Sequence, residues 1–123
     1  MSMHSVLIIE DDEFVKNMLK QTFDRAGYDV ATASNGRIGI QLYQSKPFDV
    51  VITDLIMPDM EGIETITQLR KIDPGVKVIA ISGGGRNRPG DYLHLAAKLG
   101  ALNTFTKPVD RNALLEAVQA LIS

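Results

Sequence analysis

Short apolar runs alternate with longer stretches of helical period along this chain, five times over. The runs are Val6-Leu7-Ile8-Ile9, the weaker Tyr28-Asp29-Val30-Ala31-Thr32, Asp49-Val50-Val51-Ile52-Thr53, Val76-Lys77-Val78-Ile79-Ala80-Ile81 and Leu102-Asn103-Thr104-Phe105. Most are β-branched and continuously apolar, as in parallel strands covered on both faces. Between them, Phe14, Met18, Thr22 and Ala26 fall on one helical face, as do Ile63, Ile66 and Leu69, and later Leu114, Val118 and Leu121. Each of these faces is expected to bury against a sheet. Turn chemistry falls where the alternation needs it: Gly27 closes the first helix, Asn35-Gly36 opens the second, Lys46-Pro47 ends it, and Asp73-Pro74-Gly75 stops the third. Successive βαβ units with right-handed crossovers predict an α/β fold, an open doubly wound sheet of five parallel strands with helices on both faces.

Composition narrows the picture. The 123 residues, 45% apolar, suit one domain over 1–123 with a continuous core. Thirteen Lys and Arg against fifteen Asp and Glu give a net charge of -2, and no run of four basic residues marks a patch for nucleic acid or membrane, so neither is expected as a partner. The absence of Cys excludes disulfides and thiolate metal sites. There is no cationic leader, and no apolar run approaches the roughly 18 residues of a membrane span, so a cytoplasmic location is expected.

Sheets of this class bind ligands outside the carboxyl ends of their strands. Glu10, Asp11 and Asp12 follow the first run, Asp54 the third, Ser82 the fourth and Lys107-Pro108 the fifth. Carboxylates drawn from separate strands repel one another, and a hard divalent cation relieves this by taking oxygen ligands from several of them. Asp54 is placed to attack phosphorus once cation and ammonium neutralise the incoming oxygens; Lys107 supplies that ammonium, and Ser82 a hydrogen bond to a phosphoryl oxygen. Any one of these residues alone reads better as a turn or helix-cap residue, and only their joint occurrence reverses that weighting. Asp12 and Glu13 read as first-turn acids favoured by the helix dipole. His4 and His94 lack matched ligand spacing.

The segments Val6-Leu7-Ile8-Ile9-Glu10-Asp11-Asp12, Thr53-Asp54-Leu55-Ile56-Met57-Pro58-Asp59-Met60-Glu61-Gly62, Ile81-Ser82-Gly83 and Thr106-Lys107-Pro108 together resemble the receiver domains of two-component response regulators across nearly the whole chain. The resemblance implies a flavodoxin-like sheet of order 2-1-3-4-5 and phosphorylation of Asp54. It also implies Mg²⁺, or Mn²⁺ in its place, held by Glu10, Asp11, Asp54 and the main-chain carbonyl of Ile56, and a cis Lys107-Pro108 peptide. It implies a phosphohistidine donor on a sensor histidine kinase or phosphotransfer protein, self-catalysed transfer and hydrolysis without turnover of outside substrates, and a downstream protein partner or output domain. With nothing after the final helix, a stand-alone receiver acting by protein contact is the simplest expectation, and a piece of a longer regulator would read the same.

Two features depart from the family pattern. Thr104 stands where members usually place an aromatic residue, and Phe105, one residue on, points to the opposite face and reads as core. The stretch Gly83-Gly84-Gly85-Arg86-Asn87-Arg88-Pro89-Gly90 is longer than the usual connection, and its glycines permit movement between two states. Signalling is therefore expected to rest more on this loop and Ser82 than on an aromatic rotamer. Phe14, Val15 and Met18 open the first helix beside the acids, and any that are exposed would suit docking against a helical kinase.

Three other readings fit these residues less well. A Mg²⁺-dependent phosphohydrolase would carry a second Asp two residues after the nucleophile, where this chain has Ile56. A nucleotide or flavin module would need a glycine fingerprint or a P-loop Lys, and neither is present. A pseudo-receiver scaffold normally loses the acid pair, the Asp or the Lys, all of which are retained.

Overall fold

A computed structural model describes residues 3–55, 62–83, 94 and 96–122. Its strands are β1 (Ser5–Ile9), β2 (Asp29–Ala33), β3 (Val50–Asp54), β4 (Val78–Ser82) and β5 (Asn103–Thr106); its helices include α1 (Glu13–Arg25), α2 (Gly36–Ser45), α3 (Gly62–Ile72) and a C-terminal helix, Arg111–Ile122. All pairings are parallel, and the sheet order is β2-β1-β3-β4-β5, as expected. Four strands end one residue later than the apolar runs. Asp54 and Ser82 are therefore the last residues of their strands, opposite Ile81 and Thr106, and not the first residues of the following loops.

The two faces of the sheet carry separate cores. On one, Val6, Ile8, Val50, Ile52, Ile79 and Ile81 pack against Leu19 and Phe23 of α1 and Leu114 and Val118 of the C-terminal helix. On the other, Leu7, Ile9, Val51, Val78 and Ala80 meet Ile40 and Tyr43 of α2, Ile66 and Leu69 of α3, and Ala96. Every residue of β1, β3 and β4 is buried, which explains the continuous apolar runs Val6 to Ile9, Val50 to Ile52 and Val78 to Ile81 within them.

The inward stripe of α1 differs from the one expected. Phe14 is 78% exposed and Ala26 lies at the surface, whereas Leu19 and Phe23 are fully buried with Val15 and Met18 partly so. The spacing of Val15, Leu19 and Phe23 is as helical as that of Phe14, Met18, Thr22 and Ala26. It buries more apolar surface, so it wins the sheet.

Asn35 opens α2 as expected, its Oδ1 accepting the Ile38 amide (2.9 Å). Glu13 lies in the first turn of α1, but Asp12, expected there too, stands one residue earlier as the N-cap, its side chain accepting the amides of Phe14 (2.9 Å) and Val15 (3.2 Å). Gly27, with a φ of 92°, ends α1; its N–H donates to the Asp24 carbonyl and that of Tyr28 to Phe23. Phe105 is half-buried and packs with the α1 face, while Thr104 is exposed, as the strand register predicts. The Lys107-Pro108 peptide is cis.

Candidate functional site

The site residues are held by the sheet itself. Beyond the end of β1, the Glu10 N–H donates to Ala33 O (2.9 Å); after β3, Leu55 donates to Ile81 O (2.9 Å); after β5, Lys107 donates to Ser82 O (2.9 Å). Ladder bonds thus run past the strands and fix the backbones at the ends of β1, β3 and β5, a firmer mounting than free loops would give. The Asp54 carbonyl additionally accepts from Thr53 Oγ1 (3.0 Å).

These mountings bring Glu10, Asp11 and Asp54 together, with one carboxylate oxygen of each within 4.8 Å of the others. Glu10 and Asp54 are buried and Asp11 is exposed. The Lys107 ammonium lies between the two buried acids, 2.8 Å from Glu10 Oε1 and 3.4 Å from Asp54 Oδ2. The shorter contact is an ion pair without the alignment of a full hydrogen bond, so Oε1 keeps lone-pair capacity. The other Glu10 oxygen accepts the Asp12 amide at 3.1 Å.

Electrostatics bear out the crowding. Burial pushes the Glu10 carboxyl up to about 7; the neighbouring Asp54 charge adds to this, and Lys107 and the Asp12 amide oppose it. Desolvation alone would lower Lys107, but its contacts with Glu10 and Asp54 outweigh that, and its pKa is raised. The ammonium therefore stays charged at neutral pH. One cation among three carboxylates leaves negative charge on hard oxygen donors, which is the donor set a divalent ion such as Mg²⁺ takes.

Ser82 Oγ is buried and has no hydrogen-bond partner among the described residues. A buried hydroxyl normally finds a partner, and this one lies at the end of the strand beside β3 and β5. Ile56 and residues 84–90, named above as a ligand and a movable loop, lie outside the described residues. The two histidines stand apart from this cluster: His4 Nδ1 is 3.4 Å from Asp49 Oδ2, and His94 is exposed. No described helix is long and apolar enough to cross a membrane.

A doubly wound sheet that gathers two acids from beyond β1, one from the end of β3 and a lysine from beyond β5 defines an α/β domain with an acidic pocket at its carboxyl edge. The profile of the response regulator receiver domain matches residues 6–119, and the chain belongs to that family. It is 38% identical to the chemotaxis protein CheY of Thermotoga maritima over 114 residues, covering 92% of each chain. It is 30% identical to the sporulation initiation phosphotransferase F of Bacillus subtilis, covering 93% of this chain and 90% of that one. A crystal structure of a receiver domain protein from Clostridium thermocellum superposes with a TM-score of 0.89 at 31% identity, covering 98% of this chain and 94% of that one.

Proposed function

We propose that Asp54 accepts a phosphoryl group in a Mg²⁺-dependent reaction, with a phosphohistidine on a sensor histidine kinase or phosphotransfer protein as donor, and that the phosphorylated chain presents an altered surface to a downstream protein. The single observation that carries this reading is the position of Lys107, whose ammonium reaches Glu10 and Asp54 together from the far edge strand. A lysine serving stability alone would not need two buried carboxylates and a hydroxyl left without a partner beside it.

Each residue then has a role. An Asp54 carboxylate oxygen attacks phosphorus; a P–O bond forms as the P–N bond of the phosphohistidine breaks, and the nitrogen keeps the electron pair. Lys107 exchanges its contact with Asp54 for one with a phosphoryl oxygen and offsets the charge that arrives there. Ser82 Oγ donates to another phosphoryl oxygen, which supplies the partner it lacks. Glu10, Asp11 and Asp54, with the Ile56 carbonyl, would hold Mg²⁺, which when bound supplies positive charge to the phosphoryl oxygens. Attack of water on phosphorus breaks the bond to the Asp54 oxygen, returning the carboxylate and releasing inorganic phosphate, and both transfer and hydrolysis are self-catalysed with no external substrate turned over. A cytoplasmic setting fits this chemistry and its kinase partner.

Incubation with Mg²⁺ and a small phosphodonor, followed by mass spectrometry, tests the assignment: one phosphoryl group on Asp54 in the wild type and none there in Asp54→Asn. Labelling of another residue, or equal labelling of the variant, would remove Asp54 from its role. Glu10→Gln and Asp11→Asn should each weaken Mg²⁺ binding, because each deletes a negative ligand; unchanged affinity would place the ion elsewhere.

A further inference from the structure

A second concavity lies between α1 and the C-terminal helix, which pack side by side on one face of the sheet, and it shares no residue with the acidic cluster. Its volume is about 540 Å³, within the range of small-molecule sites. Thr22, Arg25 and Ala26 at the end of α1 line one wall, and Arg111, Asn112 and Leu115 at the start of the C-terminal helix line the other. None of them has a role in the chemistry above.

Each wall contributes one arginine. Among the described residues, neither Arg25 nor Arg111 makes an ion pair or a side-chain hydrogen bond. The acids closest to them in the chain are committed elsewhere: Asp110, which also lines the cleft, accepts the Ala113 amide at 3.1 Å, and Asp24 holds Lys20 Nζ at 2.6 Å. Arg25 stands in the last turn of α1, where the helix dipole favours a cation, but Arg111 is the first residue of its helix, where the dipole disfavours one. That first turn contains no acid to offset the guanidinium. Arg111 thus breaks a local rule with no compensating contact, and such departures fall at functional positions. In a chain of net charge -2, two unpaired arginines against one carboxylate also make the cleft a local reversal of sign.

The guanidinium fork matches the oxygens of a phosphate group, and a bare phosphate would fill only a small part of the space. Ala26 and Leu115 give the remainder an apolar lining. We propose that this cleft binds an organic phosphate, a phosphate monoester on a body of sugar or nucleoside size, with Arg25 and Arg111 on the phosphate and the body against Ala26 and Leu115. Asp110 follows Lys107 by three residues, so the occupant ties α1 to the segment that carries the site lysine. The inference stands apart from phosphorylation of Asp54.

The full chain is titrated with adenosine 5′-monophosphate, ribose 5-phosphate and inorganic phosphate in turn, followed by backbone amide NMR. Mg²⁺ is left out, so that the acidic pocket repels anions. At least one of the two organic phosphates should saturate with a Kd of about 1 mM or tighter, shifting the amides of Thr22, Ala26, Asn112 and Leu115. Inorganic phosphate should bind about tenfold more weakly or less, because it buries no apolar surface. Replacing both arginines, Arg25→Gln with Arg111→Gln, should weaken the organic phosphate by about tenfold or more. Lys71→Gln with Lys98→Gln removes the same charge at exposed positions outside the cleft and should leave the affinity at the wild-type value. The proposal is overturned by shifts that do not saturate by about 10 mM, by shifts centred on Glu10 and Lys107, by inorganic phosphate binding as tightly as the organic ligands, or by equal losses in the two double variants.

Discussion

The central strands β1, β3 and β4 and the edge strands β2 and β5 solve different problems. Each central strand is buried at all five positions, while β2 buries only Ala33 and β5 alternates between half-buried and exposed residues. The acids Glu10 and Asp54 stand at the ends of central strands, where both neighbours and both helical layers hold the backbone. Lys107 follows an edge strand with one neighbour, and its place depends on what β4 presses against it. The permanent part of the site is thus mounted on the stiffest elements, and the counter-charge on an element with fewer restraints. Less buried, less bonded elements are the ones that open or shift at low cost, so the edge is where a change of state is cheapest to accommodate.

The largest expected effect tests the edge. Lys107→Met keeps the apolar stem and removes the charge, and it should slow labelling of Asp54 by about 10²- to 10³-fold, the usual loss when one preorganised group facing developing charge is deleted. The initial rate of phosphoprotein formation measures this, and a loss under about threefold would make the ion pair structural. Next, the contrast in burial itself is tested by stability. Ile52→Ala in β3, 1% exposed, should cost about 3 kcal/mol in urea unfolding. Phe105→Ala in β5, half-buried on the same core face, should cost about 1–2 kcal/mol despite removing the larger side chain. Equal losses would erase the distinction between centre and edge.

A smaller effect concerns the connection after β2. Asn35→Ala deletes the cap that accepts the Ile38 amide and should cost about 1 kcal/mol by the same assay. The smallest is electrostatic and lies far from the site. The Tyr43 hydroxyl donates to Asp73 Oδ2 at 2.7 Å, and the Gly75 amide to Oδ1 at 2.9 Å; together they hold the Asp73 carboxyl below its ordinary 3.8. Because the folded pKa is the lower one, the associated stability is complete above the unfolded value and is lost as pH falls through the folded one. Tyr43→Phe should move the Asp73 titration, followed by NMR, back toward 3.8 and flatten the acid limb of the stability profile; an unmoved titration would assign the shift to the Gly75 amide.

Much of this arrangement was readable along the chain. Continuous apolar runs signal strands covered on both faces because a buried parallel strand has no wet side to mark with polar residues. Asn35 and Gly27 announce helix ends because orphan backbone groups demand them. The grouping of Glu10, Asp11, Asp54, Ser82 and Lys107 followed from their place after successive runs, since parallel strands put all such ends on one edge. The stripe of α1 was misread because Val15-Leu19-Phe23 and Phe14-Met18-Thr22-Ala26 share the same period, and which one turns inward depends on the sheet surface it meets. The ends of β3 and β4 lie one residue beyond their apolar runs because Asp54 and Ser82 are polar, and polarity does not reveal that their backbones stay in the ladder.

Element order, most helix ends and the residue types at the reactive edge are legible in the chain, because they follow from local periodicity and backbone chemistry. That Lys107 meets Glu10 and Asp54 together, and that Ser82 Oγ is left without a partner among the described residues, emerges only on folding. Those are distances between strands far apart in the chain, and no local pattern encodes a distance that exists only once the sheet has assembled.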